Sequence, residues 1–295
     1  MAIYSFLLLA GQSVAVLLGR LYFEKGGNSS WMGALVQPAG FPILLPFYLS
    51  QPKSPSMSTY SLVCASQLGF NALFSFFLNS LKLTPFIINS LVLLTISSIL
   101  LVFQDDSAES KQVYRRQYAL GFICTVGASA GYGLLLSLTQ FAFKKVLKQE
   151  TFKVVLDMTI YPSLASTIAI LVGLLASGEW KGLGKEMEGF ELGEVSYCMT
   201  LIWTAISWQL FSIGCVGLIF EVSSVFSNVI STFGLPVVPV LAVFCFGDKM
   251  DVIKAIAMVL AIWGFLSYVY QHYLDDCKLK KQNSNAAATE MVITG

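Results

Sequence analysis

The chain has 295 residues, of which 56% are hydrophobic and only 12% are charged, and its mean hydropathy is +0.71. A soluble domain usually carries about 25% charged residues, so this composition excludes an ordinary soluble globular protein. It indicates an all-α polytopic membrane protein embedded in a lipid bilayer. The net charge of +1 gives no reason to expect a nucleic-acid partner or the steering of a polyanion.

Apolar runs bounded by charged or turn-forming residues predict about nine membrane-spanning helices, labelled A to I in chain order. Four spans form a first half at 1–104, a charged linker follows at 105–116, and five spans form a second half at 117–274. The polar tail at 275–295 is predicted to be disordered. The predicted spans are 2–23, 31–50, 59–79, 85–104, 117–143, 154–176, 196–217, 220–247 and 252–273.

The charged loops predict the orientation of the second half. The loop between E and F carries four lysines and one acid, and the tail carries three further lysines. The loop between F and G instead carries five glutamates and two lysines. Because positive charge accumulates on the cytosolic side, we expect the E–F loop and the tail in the cytosol and the F–G loop outside.

A weak internal repeat relates the two halves. Ser58, Ser66 and Gly69 match residues 165 positions later, whereas Gly11 and Ser13 match residues only 116 positions later. The offsets differ by 49 residues because the second half has a loop and span G where the first half has only QPKSPSM, at 51–57. The repeat therefore predicts that the first half lacks one span, giving four plus five helices.

Seven stretches of the chain carry a resemblance to a known family: WMGALVQPAGFP, STYSLVCASQLGFNALFSFFLNS, TPFIINSLVLLTISS, IYPSLASTIAILVGLLASGEW, the block from Met199 to Phe220, LPVVPVLAVFCFGDKM and IWGFLSYVYQHYLDD. They resemble the plant purine permeases of the drug/metabolite transporter superfamily. This resemblance implies two inverted halves of five spans each, and it implies proton-coupled import of purine bases and similar heteroaromatics, including cytokinins. In that family a further span precedes the STYSL segment, where QPKSPSM stands here.

Neutral amides at membrane depth are candidate solute contacts, because they both donate and accept hydrogen bonds, as a purine edge requires. Tryptophans and tyrosines, among them Trp203 and Trp208, could stack on a flat ring. The alternative role for the amides is hydrogen bonding between helices, and the alternative role for the aromatic residues is anchoring at the membrane interface. The predicted solute contacts are Gln37, Gln67, Asn71, Trp203, Gln209 and Asn228.

Two carboxylates are candidate proton-coupling groups, Asp157 near the start of span F and Glu221 between G and H. A carboxylate partly removed from water has a raised proton affinity, so it can load and release a proton during transport. An ion pair at the membrane edge is the alternative for both.

In span H, Pro236 and Pro239 each remove a backbone donor, which predicts a kink or hinge. Small residues at 223, 227, 231 and 234 predict a close helix contact on one face.

Other patterns limit the chemistry. The six cysteines are scattered without a CxxC pair, and the single histidine follows the last span, so we expect no enzyme, no cofactor and no metal site. No lysine or arginine lies clearly inside a span, which disfavours a phosphorylated solute.

The leading hypothesis is a multi-pass carrier of purine-like solutes, coupled to protons, in the plasma membrane. Two alternatives stay open. One is a related carrier of another small organic solute, and the other is a form that does not transport but pairs with a full-length relative. An oligomer of the chain with itself is also left open.

Overall fold

The computed structural model describes residues 1–40, 42, 62–79, 84–106, 130–143, 152–247, 250 and 252–294. Every regular element in these ranges is helical, so the predicted all-α membrane fold is confirmed. A 3-10 turn at Glu179–Lys181 precedes the short helix α7. The helices are α1 (Ala2–Glu24), α2 (Ser30–Ala39), α3 (Leu62–Asn79), α4 (Pro85–Asp106), α5 (130–143), α6 (Phe152–Ser177), α7 (Leu183–Glu188), α8 (Glu194–Glu221), α9 (Ser224–Phe246) and α10 (Val252–Thr294).

Five described helices are long and apolar enough to cross a bilayer by themselves. The predicted spans A, D, F, G and H agree with α1, α4, α6, α8 and α9 within four residues at either end. The end of span B, the start of C and the first half of E lie outside the described residues. The count of nine and the division into four plus five therefore stay predictions. The five long segments are Ala2–Glu24, Met158–Ser177, Glu194–Glu221, Ser224–Phe246 and Val252–Asp275.

The C-terminal segment differs from the prediction. We expected residues 275–295 to be disordered, but α10 continues beyond predicted span I as a helix to Thr294. The segment has a run of three alanines together with three lysines, one glutamine and one glutamate, all of which are good helix formers. Its polarity argues against burial, and it does not by itself prevent helix formation.

Helices α1 and α8 approach each other closely at two glycines. A Cβ added to Gly11 would lie 2.5 Å from the backbone nitrogen of Phe211, and one added to Gly214 would lie 2.5 Å from that of Leu8. Each helix therefore contributes one glycine at which the partner's backbone leaves no room for a side chain. Small residues at helix contacts are a common device in membranes, where packing must replace the hydrophobic effect.

The small face predicted on span H is in close contact with two neighbours. Ser227 Oγ donates to the carbonyl of Cys215 in α8 at 3.0 Å, and Ser231 Oγ donates to Gln12 Oε1 in α1 at 3.3 Å. A Cβ on Gly234 would lie 3.0 Å from the same Gln12 oxygen. Helix α9 is therefore packed against α1 and α8 along this face, as predicted.

The two prolines of α9 do not end the helix. The helix is continuous from Ser224 to Phe246 and contains both Pro236 and Pro239. Pro236 is buried and Pro239 is partly buried. A hinge at these positions stays a prediction.

Helices α4 and α10, which the repeat aligns with each other, lie side by side. Ser97 Oγ donates to the carbonyl of Ala257 at 2.7 Å, and Asn89 Nδ2 donates to Ser267 Oγ at 3.1 Å. Gly264 allows the close approach, because a Cβ there would lie 3.2 Å from the carbonyl of Ser90. The last helix of each predicted half therefore packs on its counterpart.

Candidate functional site

A cavity of about 470 Å³ lies between α1, α2 and α8. This volume falls within the range of about 300 to 1,000 Å³ that is typical of small-molecule sites. Three aromatic side chains line it, and a few polar groups lie between them. The aromatic residues are Tyr22, Phe23 and Trp208, and the polar ones are Ser30, Gln37, Thr204 and Arg20. The walls therefore combine flat apolar surfaces with sparse hydrogen-bonding groups.

A short turn joins the two N-terminal helices that flank the cavity. Gly26 adopts a φ of +108°, a left-handed conformation that glycine adopts at little cost. Ser29 then begins α2, because its Oγ accepts a hydrogen bond from the Met32 N–H at 3.0 Å. Both helices pack on α8, and the cavity lies between the three.

The end of α2 is held on α8 by Gln209. Its Nε2 donates to the carbonyls of Gln37 at 3.2 Å and Pro38 at 3.3 Å, which belong to the last turn of α2. In a continuing helix the N–H of residue 42 would donate to the Pro38 carbonyl, but residue 42 is a proline and has no N–H. Gln209 Oε1 is buried and accepts no hydrogen bond from the described residues. This amide therefore caps a helix end and keeps an acceptor oxygen beside Gln37.

The one cation among the described lining residues is already paired. Arg20 Nε donates to Glu24 Oε1 at 2.6 Å, one helical turn away in α1. Its guanidinium also lies over the Phe246 ring, 4.6 Å from the ring centroid. The cavity therefore presents a neutralised arginine at its edge, and its interior is walled by uncharged groups.

Asn71 lies away from this cavity, in a closed polar cluster that joins α3, α5 and α9. Its Nδ2 donates to the carbonyl of Ser224 at 3.0 Å, and its Oδ1 accepts from Ser137 Oγ at 2.8 Å. Ser75 Oγ lies 3.0 Å from both Ser137 Oγ and Ser224 Oγ. Gln140 Oε1 accepts from Ser224 Oγ at 2.7 Å. All five residues are buried, and they satisfy one another.

The other predicted solute contacts are scattered. Trp203 is 56% exposed on α8, while Trp208, five residues later, is buried and lines the cavity. Asn228 is buried in α9 and is not among the residues lining the cavity. The side chain of Gln67 is not among those that the structure describes. Of the six predicted contacts, the structure brings together Gln37 and Gln209.

Neither of the two predicted proton-coupling groups is among the residues of the described cavity wall. Glu221 is exposed at the end of α8, where its carboxylate forms an ion pair with the amino group of Met1. The side chain of Asp157 lies outside the described ones. Among the described residues there is no group of three histidines, cysteines or carboxylates that could hold a metal ion.

Sequence reasoning missed Gln12, a fully buried amide in α1. Its Nε2 donates to the carbonyl of Ser231 at 3.0 Å, so it joins α1 to α9. A glutamine in the middle of an apolar run was the available signal. Glu179 and Glu186 were used only as indicators of orientation, and both carboxylates accept hydrogen bonds from the turn between α1 and α2.

The chain matches one family over almost its whole length. The family model described as purine nucleobase transmembrane transport matches residues 1–58 and 54–278. Purine permease 21 of Arabidopsis thaliana is 54% identical, over 96% of this chain and 83% of its own length. Probable purine permeases 10 and 8 of the same plant are 52% and 50% identical, over 98% and 96% of this chain and 84% and 83% of their own lengths.

These comparisons also locate an internal gap. The alignment with purine permease 21 has 322 positions yet takes in 96% of the 295 residues here, so about 40 positions hold residues only in the relative. The two segments matched by the family model overlap at 54–58, at the end of the stretch QPKSPSM, which occupies 51–57. About 40 positions are enough for one further span with its loops, and the absence of a span from the first half stays a prediction. The chain is an integral, multi-pass membrane protein and belongs to the purine nucleobase transmembrane transport family.

Proposed function

We propose that this protein carries purine bases and related flat heteroaromatic solutes across a membrane, and that the cavity between α1, α2 and α8 is its solute site. The observation that carries the proposal is the composition of the cavity wall. Aromatic rings and a glutamine line a space of about 470 Å³ in a member of a purine transport family.

The wall suits the chemistry of a purine. A bicyclic base offers two flat faces, and Tyr22, Phe23 and Trp208 supply aromatic surface against which such a ring packs. The edge of the base alternates donors and acceptors, and the Gln37 amide can meet both kinds of group.

The charge of the cavity favours an uncharged solute. Binding a phosphate inside a membrane protein requires fixed positive charge to replace its water shell. Arg20 is the cation on the described wall, and Glu24 neutralises it at 2.6 Å. Nucleobases and cytokinins fit this wall better than nucleotides or nucleotide sugars, which is the reason for preferring them over the solutes of other carriers.

Proton coupling, import and a plasma-membrane location are the finer parts of the proposal. Asp157 and Glu221 are the groups we propose for the proton, with alternating access exposing the solute site to either side. Glu221 is exposed at the end of α8 and is not part of the described cavity wall, which makes it the weaker candidate.

Uptake of labelled adenine and of a labelled cytokinin by cells expressing the chain tests the proposal. Import with protons predicts greater uptake at roughly pH 5.5 than at roughly pH 7.5, because the proton is a co-substrate. Unlabelled adenine should suppress both signals if one site binds both solutes. Uptake equal to that of empty-vector cells at both pH values would contradict transport by this chain.

The internal gap favours a second candidate function. A carrier that lacks about 40 positions of its relatives could associate with a full-length relative and alter its activity without transporting anything. Co-purification of the two chains, with a changed uptake rate of the relative and no uptake by this chain alone, would support this function over the first.

A further inference from the structure

One carboxylate joins the three helices that surround the cavity. Glu186, in the short helix α7, accepts a hydrogen bond from the hydroxyl of Tyr22 at the end of α1. It also accepts from the backbone N–H of Ser29, which begins α2, at 3.1 Å, and from the hydroxyl of Tyr197 in the first turn of α8, also at 3.1 Å. Tyr22 itself lines the cavity.

The chemistry of this junction depends on the charge of Glu186. An ionised carboxylate is purely an acceptor, with room for about four hydrogen bonds, and here three donors converge on it. Such charge-assisted bonds are roughly twice as strong as neutral ones. Tyr22, Ser29 and Tyr197 are all buried, so water cannot readily replace the carboxylate as their partner.

The rest of the loop at 178–193 holds the α1–α2 turn but does not reach α8 through these contacts. Glu179 accepts from Ser29 Oγ at 2.6 Å and from the Trp31 N–H at 3.4 Å, where it also lies at the positive end of α2. Glu191 pairs with Lys25 Nζ at 2.7 Å. Glu186 is thus the member of this group that ties α1 and α2 to α8.

We infer that Glu186 is a positioning residue of the transport cycle. It holds the adjacent ends of α1, α2 and α8 together over one end of the cavity, and the cavity opens on that side only when its three hydrogen bonds break. This inference rests on the proposed function, since it assigns the closed state of that same site. The predicted orientation places this end outside the cell.

The test compares Glu186→Gln with Glu188→Gln, a matched change on the same short helix at an exposed side chain. Glutamine keeps the size of the side chain, removes the charge and weakens three accepted bonds. Each variant also carries Ala34→Cys, a thiol probe in the cavity wall. A membrane-impermeant thiol reagent is added to membranes opened by freezing and thawing, so that it reaches both sides, and labelling without Ala34→Cys is subtracted.

We expect the probe to be labelled roughly tenfold faster per folded molecule with Glu186→Gln than with Glu188→Gln, because weakening these bonds favours the open state. Equal labelling rates would overturn the inference. Glu186→Ala serves as a second variant and should label at least as fast.

Transport measurements separate this inference from the proposed function. In the chain without the probe, Glu186→Gln should change the maximal uptake rate of adenine more than its KM, because the residue does not touch the solute. A change in KM alone, with the maximal rate intact, would contradict a positioning role. Faster labelling with no uptake by any variant, including the unsubstituted chain, would overturn the proposed function and leave the inference about closure standing.

Discussion

The cavity and the Asn71 cluster use the same kinds of residue for opposite purposes. In the cluster, Asn71 and Gln140 each lie within 3.0 Å of serine groups on other helices. In the cavity, Gln37 lies on the wall, whereas Gln209 is buried, is not among the lining residues, and keeps one oxygen without a partner among the described residues. A buried amide in a membrane helix therefore indicates either a joint between helices or a solute contact. Neighbours that are distant in sequence decide which role it has.

The largest expected effect comes from breaking the cluster with Asn71→Leu. The change removes one amide but leaves Ser137 Oγ and the Ser224 carbonyl buried with fewer partners. We expect the free energy of unfolding to fall by about 3 kcal/mol, measured as a lower midpoint of denaturation in detergent. The folded fraction should retain its KM for adenine. A raised KM with unchanged stability would instead place Asn71 at the solute site.

Gln37→Leu should have the reverse pattern. The side chain lines the cavity, so its loss removes one hydrogen bond to the solute and leaves the packing of α2 on α8 in place. A bond worth about 1 kcal/mol corresponds to a rise in KM of roughly fivefold to tenfold. Competition between labelled adenine and unlabelled purines measures it. Loss of folded protein with an unaltered KM would show that the amide serves structure alone.

A smaller effect should distinguish two tryptophans of α8. Trp208→Phe shortens an aromatic wall of the cavity, and we expect KM for adenine to rise about threefold, since aromatic contacts of this kind contribute about 0.5 to 1.5 kcal/mol. Trp203→Phe is the matched control on the exposed surface of the helix. If Trp203→Phe raises KM and Trp208→Phe does not, the solute binds elsewhere.

The smallest effect is expected at the edge of the loop. The hydrogen bond from Lys25 to Glu191 raises the pKa of this lysine above its ordinary value, so the lysine is charged at neutral pH. The stability that this pair contributes is present at pH values below the unfolded-state pKa of the lysine. It is lost only as the pH rises through the raised folded-state pKa. Because the pair is solvent-exposed and screened, Lys25→Gln should leave the denaturation midpoint at pH 7 unchanged within error. A clear fall would mean that this exposed pair contributes substantially to the stability of the fold.

The fold could be predicted from sequence because the length and polarity of each apolar run are local properties. Spans A, D, F, G and H matched helices closely for that reason. The extent of α10 could not be predicted in the same way, since polar composition predicts exposure but does not exclude a helix.

The site was harder to predict because each role depends on contacts between distant residues. Gln209 meets Gln37 across 172 positions, and Asn71 meets Ser224 across 153. Trp203 and Trp208 differ only in which side of α8 they occupy, and composition does not specify that side. In the sequence Glu186 is one of five glutamates in a loop, and only the fold brings its three donors beside it.

The glycine contact between α1 and α8 restricts how this carrier can move. Helix α1 belongs to the predicted first half and α8 to the second, yet their backbones touch at Gly11 and Gly214. Sliding by one residue, about 1.5 Å, would press neighbouring side chains into the opposite main chain. We therefore expect α1 and α8 to part at their Glu186 end by tilting about this contact and not by sliding past each other. The two predicted halves would then stay joined at Gly11 and Gly214 while the cavity opens.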